Sequence, residues 1–101
     1  MKRLYIIAGP NGAGKTTASY TVLPEILNCK EFINADEIAK GLSPFSPESV
    51  TIQAGKVMLN RINEMIGQGI TFAFETTLAG KHYANTIKLA RQEGYETILL
   101  F

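Results

Sequence analysis

The chain has little cysteine, almost no net charge and no long apolar run, and each shortage narrows its possible role. Its one cysteine, Cys29, permits neither an intrachain disulfide nor a cysteine-cluster metal site, and a reducing, cytoplasmic setting fits. Ten Lys and Arg against nine Asp and Glu leave a formal net charge of +1. No basic field therefore points to nucleic acid, and no acidic block points to an interaction tail. The apolar run after Met1-Lys2-Arg3 stops at Gly9, too short for the apolar region of a signal peptide or for a membrane span. Lys2 and Arg3 are expected to open a strand instead. Internal repeats and low-complexity segments are lacking too. What is present is 101 residues at 46% hydrophobic content, the composition of a globular protein and the length of one domain, 1–101, with one core.

The most informative residues are Gly9-Pro10-Asn11-Gly12-Ala13-Gly14-Lys15-Thr16, followed by Thr17. They match G-x-x-x-x-G-K-[ST] and sit between a short apolar run, Leu4 to Ala8, and a helix-compatible stretch, the context this motif requires. A polyphosphate needs many donors aimed at it from close range. Glycines at 9, 12 and 14 let the backbone curl inward without Cβ clashes. The resulting nest of N–H groups, backed by a helix N-terminus, suits anionic oxygens. Lys15 is expected to reach the β- and γ-phosphates, and the Thr16 hydroxyl to be a Mg²⁺ ligand. ATP is the expected nucleotide, with GTP left open.

The rest of the chain alternates strands and helices, which implies a parallel sheet with crossover helices. Strands are expected at Leu4–Ala8, Glu31–Ala35, Ile70–Phe74 and Thr97–Phe101. A first helix should begin near Lys15 and lose its regularity at Leu23, because Pro24 disfavours the α region for its predecessor. Asp36 to Lys40 reads as a helical turn that Gly41 ends. Ser46 reads as the N-cap and Pro47 as the first residue of a long helix. Its apolar stripe is Val50, Ala54, Val57, Met58, Ile62, Met65 and Ile66, and Gly67 or Gly69 stops it. A third long helix spans Lys81 to Glu93, ended by Gly94. The fold class is a three-layer α/β/α P-loop NTPase of the kinase type. The last strand wants cover on both faces and no later helix supplies it, so the reading is an incomplete domain, truncated after the fourth strand.

Two carboxylates follow the second and third strands: Asp36 in Asn34-Ala35-Asp36-Glu37, and Glu75 in Phe74-Glu75-Thr76-Thr77. Right-handed crossovers put both strand ends on the phosphate side of the sheet, so both should face the transferred phosphoryl group. Transfer to a hydroxyl needs a carboxylate to orient and accept the proton of the attacking oxygen. The plainer reading is that Asp36 caps the Glu37 turn and that Glu75 is a polar strand end.

The glycine-rich loop, the segment Phe32 to Pro44, the run Phe72 to Gly80 and the closing Gly94-Tyr95-Glu96 together resemble the zeta toxin family. That resemblance covers essentially the whole chain. It implies ATP- and Mg²⁺-dependent phosphorylation of a sugar hydroxyl of a nucleotide sugar, UDP-N-acetylglucosamine, and an antitoxin protein that blocks the nucleotide site. It implies Lys15 and Thr16 as nucleotide and metal positions, Asp36 as catalytic base and Glu75, with Thr76, as substrate-binding. The family's phosphate-clamping basic residues come beyond Phe101, and Lys40, Lys81, His82 and Arg91 do not replace them; Lys81 and His82 read as solvated surface. Loss of such arginines commonly costs ~10³–10⁵ in rate. Alternatives are a non-catalytic nucleotide-binding remnant or antitoxin-interacting fragment, or another small-metabolite P-loop kinase. Transporter-type ATPases would need a later Leu-Ser-Gly-Gly-Gln element, and polynucleotide kinases a basic groove.

Overall fold

The computed structural model describes residues 1–9, 19–76 and 82–100. Within them, the apolar run near the start becomes strand β1 (Arg3–Ala8), buried from Leu4 onward. A strand without polar alternation must be covered on both faces, and β1 accordingly lies inside a four-stranded sheet. The other strands are β2 (Phe32–Ile33), β3 (Phe72–Thr76) and β4 (Glu96–Leu100). Their order across the sheet is β2-β3-β1-β4, and every pairing is parallel.

Alternate residues of the strands build two cores. On one face Leu4, Ile6, Ile33, Phe72 and Phe74 pack against Met58, Ile62, Met65 and Ile66 of helix α2 (Thr51–Gln68). Ala90 of helix α3 (His82–Gln92) joins them, with Tyr83 stacked on Phe74 at a centroid distance of 4.9 Å. On the other face Tyr5, Ile7 and Ala73 meet Leu23 and Cys29. Burying each large aliphatic or aromatic side chain contributes about 1.5–3 kcal/mol, so α2, with four such residues at the core, is the main clamp on the sheet.

The expected elements are present with shifted ends. Lys15, where the first helix was expected to begin, lies outside the described residues. From residue 19 the chain is helical, and it widens into a π-helical turn at Val22–Ile26 that contains Pro24. Proline has no N–H to continue an α ladder, so the loss of regularity falls where expected. Asn28, at φ 53°, then turns the chain, and the Cys29 N–H donates to the Leu23 carbonyl at 2.7 Å.

Strand β2 is shorter than the expected 31–35, because Asn34 leaves the strand to start helix α1 (Ala35–Leu42). That helix is also longer than a turn: Gly41 stays inside it, and Ser43 ends it by donating its N–H to the Ala39 carbonyl at 2.9 Å. Ser46 and Pro47 do open a helical segment, but it is a 3₁₀ turn, Pro47–Val50, and α2 starts only at Thr51. Val50 therefore falls outside α2, and Val57, 44% exposed, lies off its core stripe. Gly69, not Gly67, stops α2; its φ of 69° is a left-handed position that favours glycine. Strand β3 begins two residues later than expected and thereby includes Glu75 and Thr76. Helix α3 and strand β4 match their expected spans to within a residue at each described end. Thr97 and Leu99 flank an open cavity of about 390 Å³ beside α3, while Ile98 and Leu100 pack on the Tyr5 and Ile7 side.

Candidate active site

Parallel strands deliver their carboxyl ends to one rim, and ligands of open α/β sheets bind there. At this rim β1 passes from Ala8 into Gly9, whose φ of 155° few L-residues adopt. The Gly9 N–H donates to the Thr76 carbonyl at 3.2 Å, which joins the start of the glycine-rich loop to the end of β3. Pro10, Asn11, Gly12, Ala13, Gly14, Lys15, Thr16 and Thr17, to which the sequence assigns the nucleotide and the metal, lie outside the described residues.

The register fixes what faces Gly9. Glu75 pairs with Ile7 and Thr76 with Ala8, while Ile33 at the end of β2 pairs with Phe74. The next residue on β2's side, Asn34, thus comes beside Glu75. Its Nδ2 donates to Glu75 Oε2, and its Oδ1 accepts from the backbone N–H groups of Asp36 at 2.8 Å and Glu37 at 3.4 Å. Asn34 is the N-cap of α1. The cap reading of Asp36 is thereby corrected: an asparagine two residues earlier does that work, with extended φ/ψ suited to it. Asp36 sits in the first turn with its side chain exposed, where a carboxylate also complements the helix dipole. Glu75 and Thr76 are half-buried. Asp36, Glu75, Thr76 and Gly9 therefore occupy one rim.

Asp36 also opens onto a groove of about 330 Å³ between α1 and the start of α2, lined by Ala39, Lys40, Glu48 and Thr51 among others. Glu48 is held below the usual carboxylate range by its own backbone N–H and by the Ser46 hydroxyl, which donates to it at 2.9 Å. The Ser46 hydroxyl thus serves a side chain rather than the helix backbone, which the Ser46 carbonyl engages through the Ser49 N–H at 3.0 Å. On the other side of Asn34 lies a second cavity, about 360 Å³, which includes Tyr20, Cys29, Lys30 and Phe32. Burial pushes the Cys29 thiol up, and the side chain packs in the core with Tyr5, Ile7 and Leu23.

Two of the basic residues weighed from sequence have side chains among the described residues, and each is engaged elsewhere than with Asp36 or Glu75. Lys40 pairs with Glu37 at 3.5 Å, both well exposed, and Arg91 donates to the Thr97 hydroxyl at 3.0 Å. Lys81 and the His82 side chain lie outside the described residues. Among the described residues no group of three or more His, Cys, Asp or Glu gathers to hold a metal, and no helix is long and apolar enough to cross a membrane. Sequence reasoning missed Asn34. The signal was present, since Asn34 stands three residues before Glu37, a capping pattern ahead of an apolar-periodic run.

No protein-family model matches the chain. An uncharacterised protein of Haemophilus influenzae is 30% identical over 87 residues, which is 86% of this chain and 60% of that protein. Among solved structures, a candidate kinase of Chloroflexus aurantiacus superposes with a TM-score of 0.75 at 15% identity, over 97% of this chain and 57% of its own. A chain from the PezAT chromosomal toxin–antitoxin system of Streptococcus pneumoniae superposes at 0.78 with 24% identity, over 97% of this chain and 45% of its own. The chain thus spans between about half and three fifths of the proteins it resembles. With its all-parallel 2-3-1-4 sheet and these neighbours, it has the α/β fold of the zeta-toxin and P-loop-kinase-like proteins.

Proposed function

We propose that this chain carries the nucleotide-binding and base-bearing part of a phosphotransferase that moves the γ-phosphoryl group of ATP, or GTP, to a sugar hydroxyl. The acceptor is a nucleotide sugar such as UDP-N-acetylglucosamine, as in the zeta toxins it resembles. The observation that carries the reading is the shared rim: Asp36 and Glu75 stand where Gly9 leaves β1 for the glycine-rich loop. In this scheme the loop's N–H groups and Lys15 hold the triphosphate. Asp36, exposed and not engaged as the cap of α1, accepts the proton of the attacking hydroxyl. Glu75 and Thr76 hold the acceptor through its hydroxyls.

The Thr16 hydroxyl, to which the sequence assigns the metal, is an oxygen donor of the kind that suits a hard cation such as Mg²⁺. When bound, that ion would offset charge on the phosphates. A protein antitoxin over the nucleotide site is a further part of the proposal, supported by the toxin–antitoxin origin of one structural neighbour.

The test is to incubate the full-length protein with labelled ATP, labelled GTP in a parallel arm, Mg²⁺ and a panel of nucleotide sugars. A labelled sugar nucleotide is expected. Release of inorganic phosphate alone, or no turnover with any acceptor, would contradict the proposal.

A further inference from the structure

Among the described residues, the rim contains a buried polar side chain to which the phosphotransfer scheme assigns no role. Asn34 is 7% exposed and touches both carboxylate-bearing elements at once. Its Oδ1 receives two N–H groups of the first turn of α1, one of them the N–H of Asp36 itself. Those two donors fix which way the amide faces, because an amide turned over would aim N–H at N–H. The Nδ2 is left facing β3, where it donates to Glu75. From this we infer that Asn34 is the positioning residue of the site: one amide sets the start of α1, and with it Asp36, relative to Glu75.

Residue chemistry makes the inference specific. Asp at 34 would cap α1 equally well, but its second oxygen would face the Glu75 carboxylate and repel it. Ser at 34 would also cap, but its side chain is one group shorter and carries no amide to reach Glu75. A Ser or Thr hydroxyl accepts and donates at one short-reach atom, whereas asparagine carries its acceptor and its donor on separate atoms, so Oδ1 can serve the helix while Nδ2 reaches the carboxylate. The position therefore governs the geometry between base and acceptor, not the triphosphate, which is held by the loop after β1. Displacements of about 1 Å at such a site can cost about 10²-fold in rate.

The inference rests on the phosphotransferase reading for its catalytic half, so its test has two arms. In the full-length protein, Asn34→Ser is expected to lower kcat about 10²-fold with KM for ATP unchanged, and Asn34→Asp to do the same with a larger loss of stability from the carboxylate it sets against Glu75. Full turnover in either variant, or a matching rise in KM for ATP, overturns the positioning role. The second arm needs no activity: thermal unfolding of Asn34→Ser, Glu75→Ala and the double variant. Non-additive losses are expected, because either change alone breaks the same contact. Strictly additive losses overturn the clamp. If the wild-type protein transfers nothing, the phosphotransferase reading and the catalytic role of Asn34 fall together, and the unfolding cycle alone decides whether the clamp exists.

Discussion

At the scale of single residues, the contacts that matter most are made by side chains with two partners. Asn34 is one. Tyr95 is another: its hydroxyl lies 2.9 Å from the Met65 carbonyl and 2.7 Å from the Ile70 carbonyl, and so ties the end of α2 to the strand that follows. Its ring also packs edge-on against Phe72 at 5.7 Å, with the Lys2 ammonium 5.1 Å from its centroid. Tyr95→Phe keeps the ring and removes the bond, and should cost about 1 kcal/mol in chemical denaturation; an unchanged midpoint would show that solvent already satisfies those carbonyls. Glu48 offers a check on electrostatics. Ser46→Ala removes one of the two groups that hold its carboxyl down, so its NMR titration midpoint should rise toward the usual glutamate value. Because the folded value is lowered, Glu48 stabilises the fold above the ordinary glutamate pKa, and that contribution fades as pH falls through the lowered one. The variant should therefore lose stability relative to wild type near neutrality and match it in strong acid.

Among elements, the sequence was most legible where one demand acted alone. The apolar run of β1, the α2 stripe at Ala54, Met58, Ile62, Met65 and Ile66, and the weakening at Pro24 all follow from a single cause, burial or a missing donor. Boundaries where two demands compete were less legible. Asn34 could extend β2 or cap α1, and the cap won, which shortened the strand and lengthened the helix. Gly41 and Gly67 looked like stops, yet both remain helical, because a glycine ends a helix only where the chain needs a left-handed turn, as at Gly69. This distinction predicts opposite signs for one substitution. A Cβ at Gly55 in α2 would meet nothing within 4 Å, so Gly55→Ala should stabilise by about 0.5–1 kcal/mol. A Cβ at Gly69 would meet the Lys2 side chain at 3.3 Å on a left-handed backbone, so Gly69→Ala should destabilise by about 1–2 kcal/mol. Melting curves that moved in the same direction for both would refute this account of how α2 begins and ends. The rim was legible at Asp36 and Glu75 because strand ends carry a sheet's ligand-facing groups. It was not legible at Asn34, whose second partner is 41 residues away and appears only in the folded register.

For the whole molecule, the parallel sheet brings three distant segments to one rim: the start of the glycine-rich loop at Gly9, the α1 cap, and the end of β3. The same sheet leaves β4 at an edge, with Leu99 62% exposed above the cavity beside α3. An edge strand with an exposed leucine is a template for pairing, and the 101-residue chain should accordingly self-associate with rising concentration in sedimentation velocity. A single monomeric species at all concentrations would mean that this edge is adequately protected. The most direct measurement of the central claim, that the rim performs phosphoryl transfer with Asp36 as its base, compares Asp36→Asn with the wild-type full-length protein in both turnover and ATP affinity. The account predicts that kcat falls by orders of magnitude while calorimetric ATP affinity stays near wild type, since a base acts in the chemical step. Equal losses in both, or turnover that survives the substitution, would contradict it.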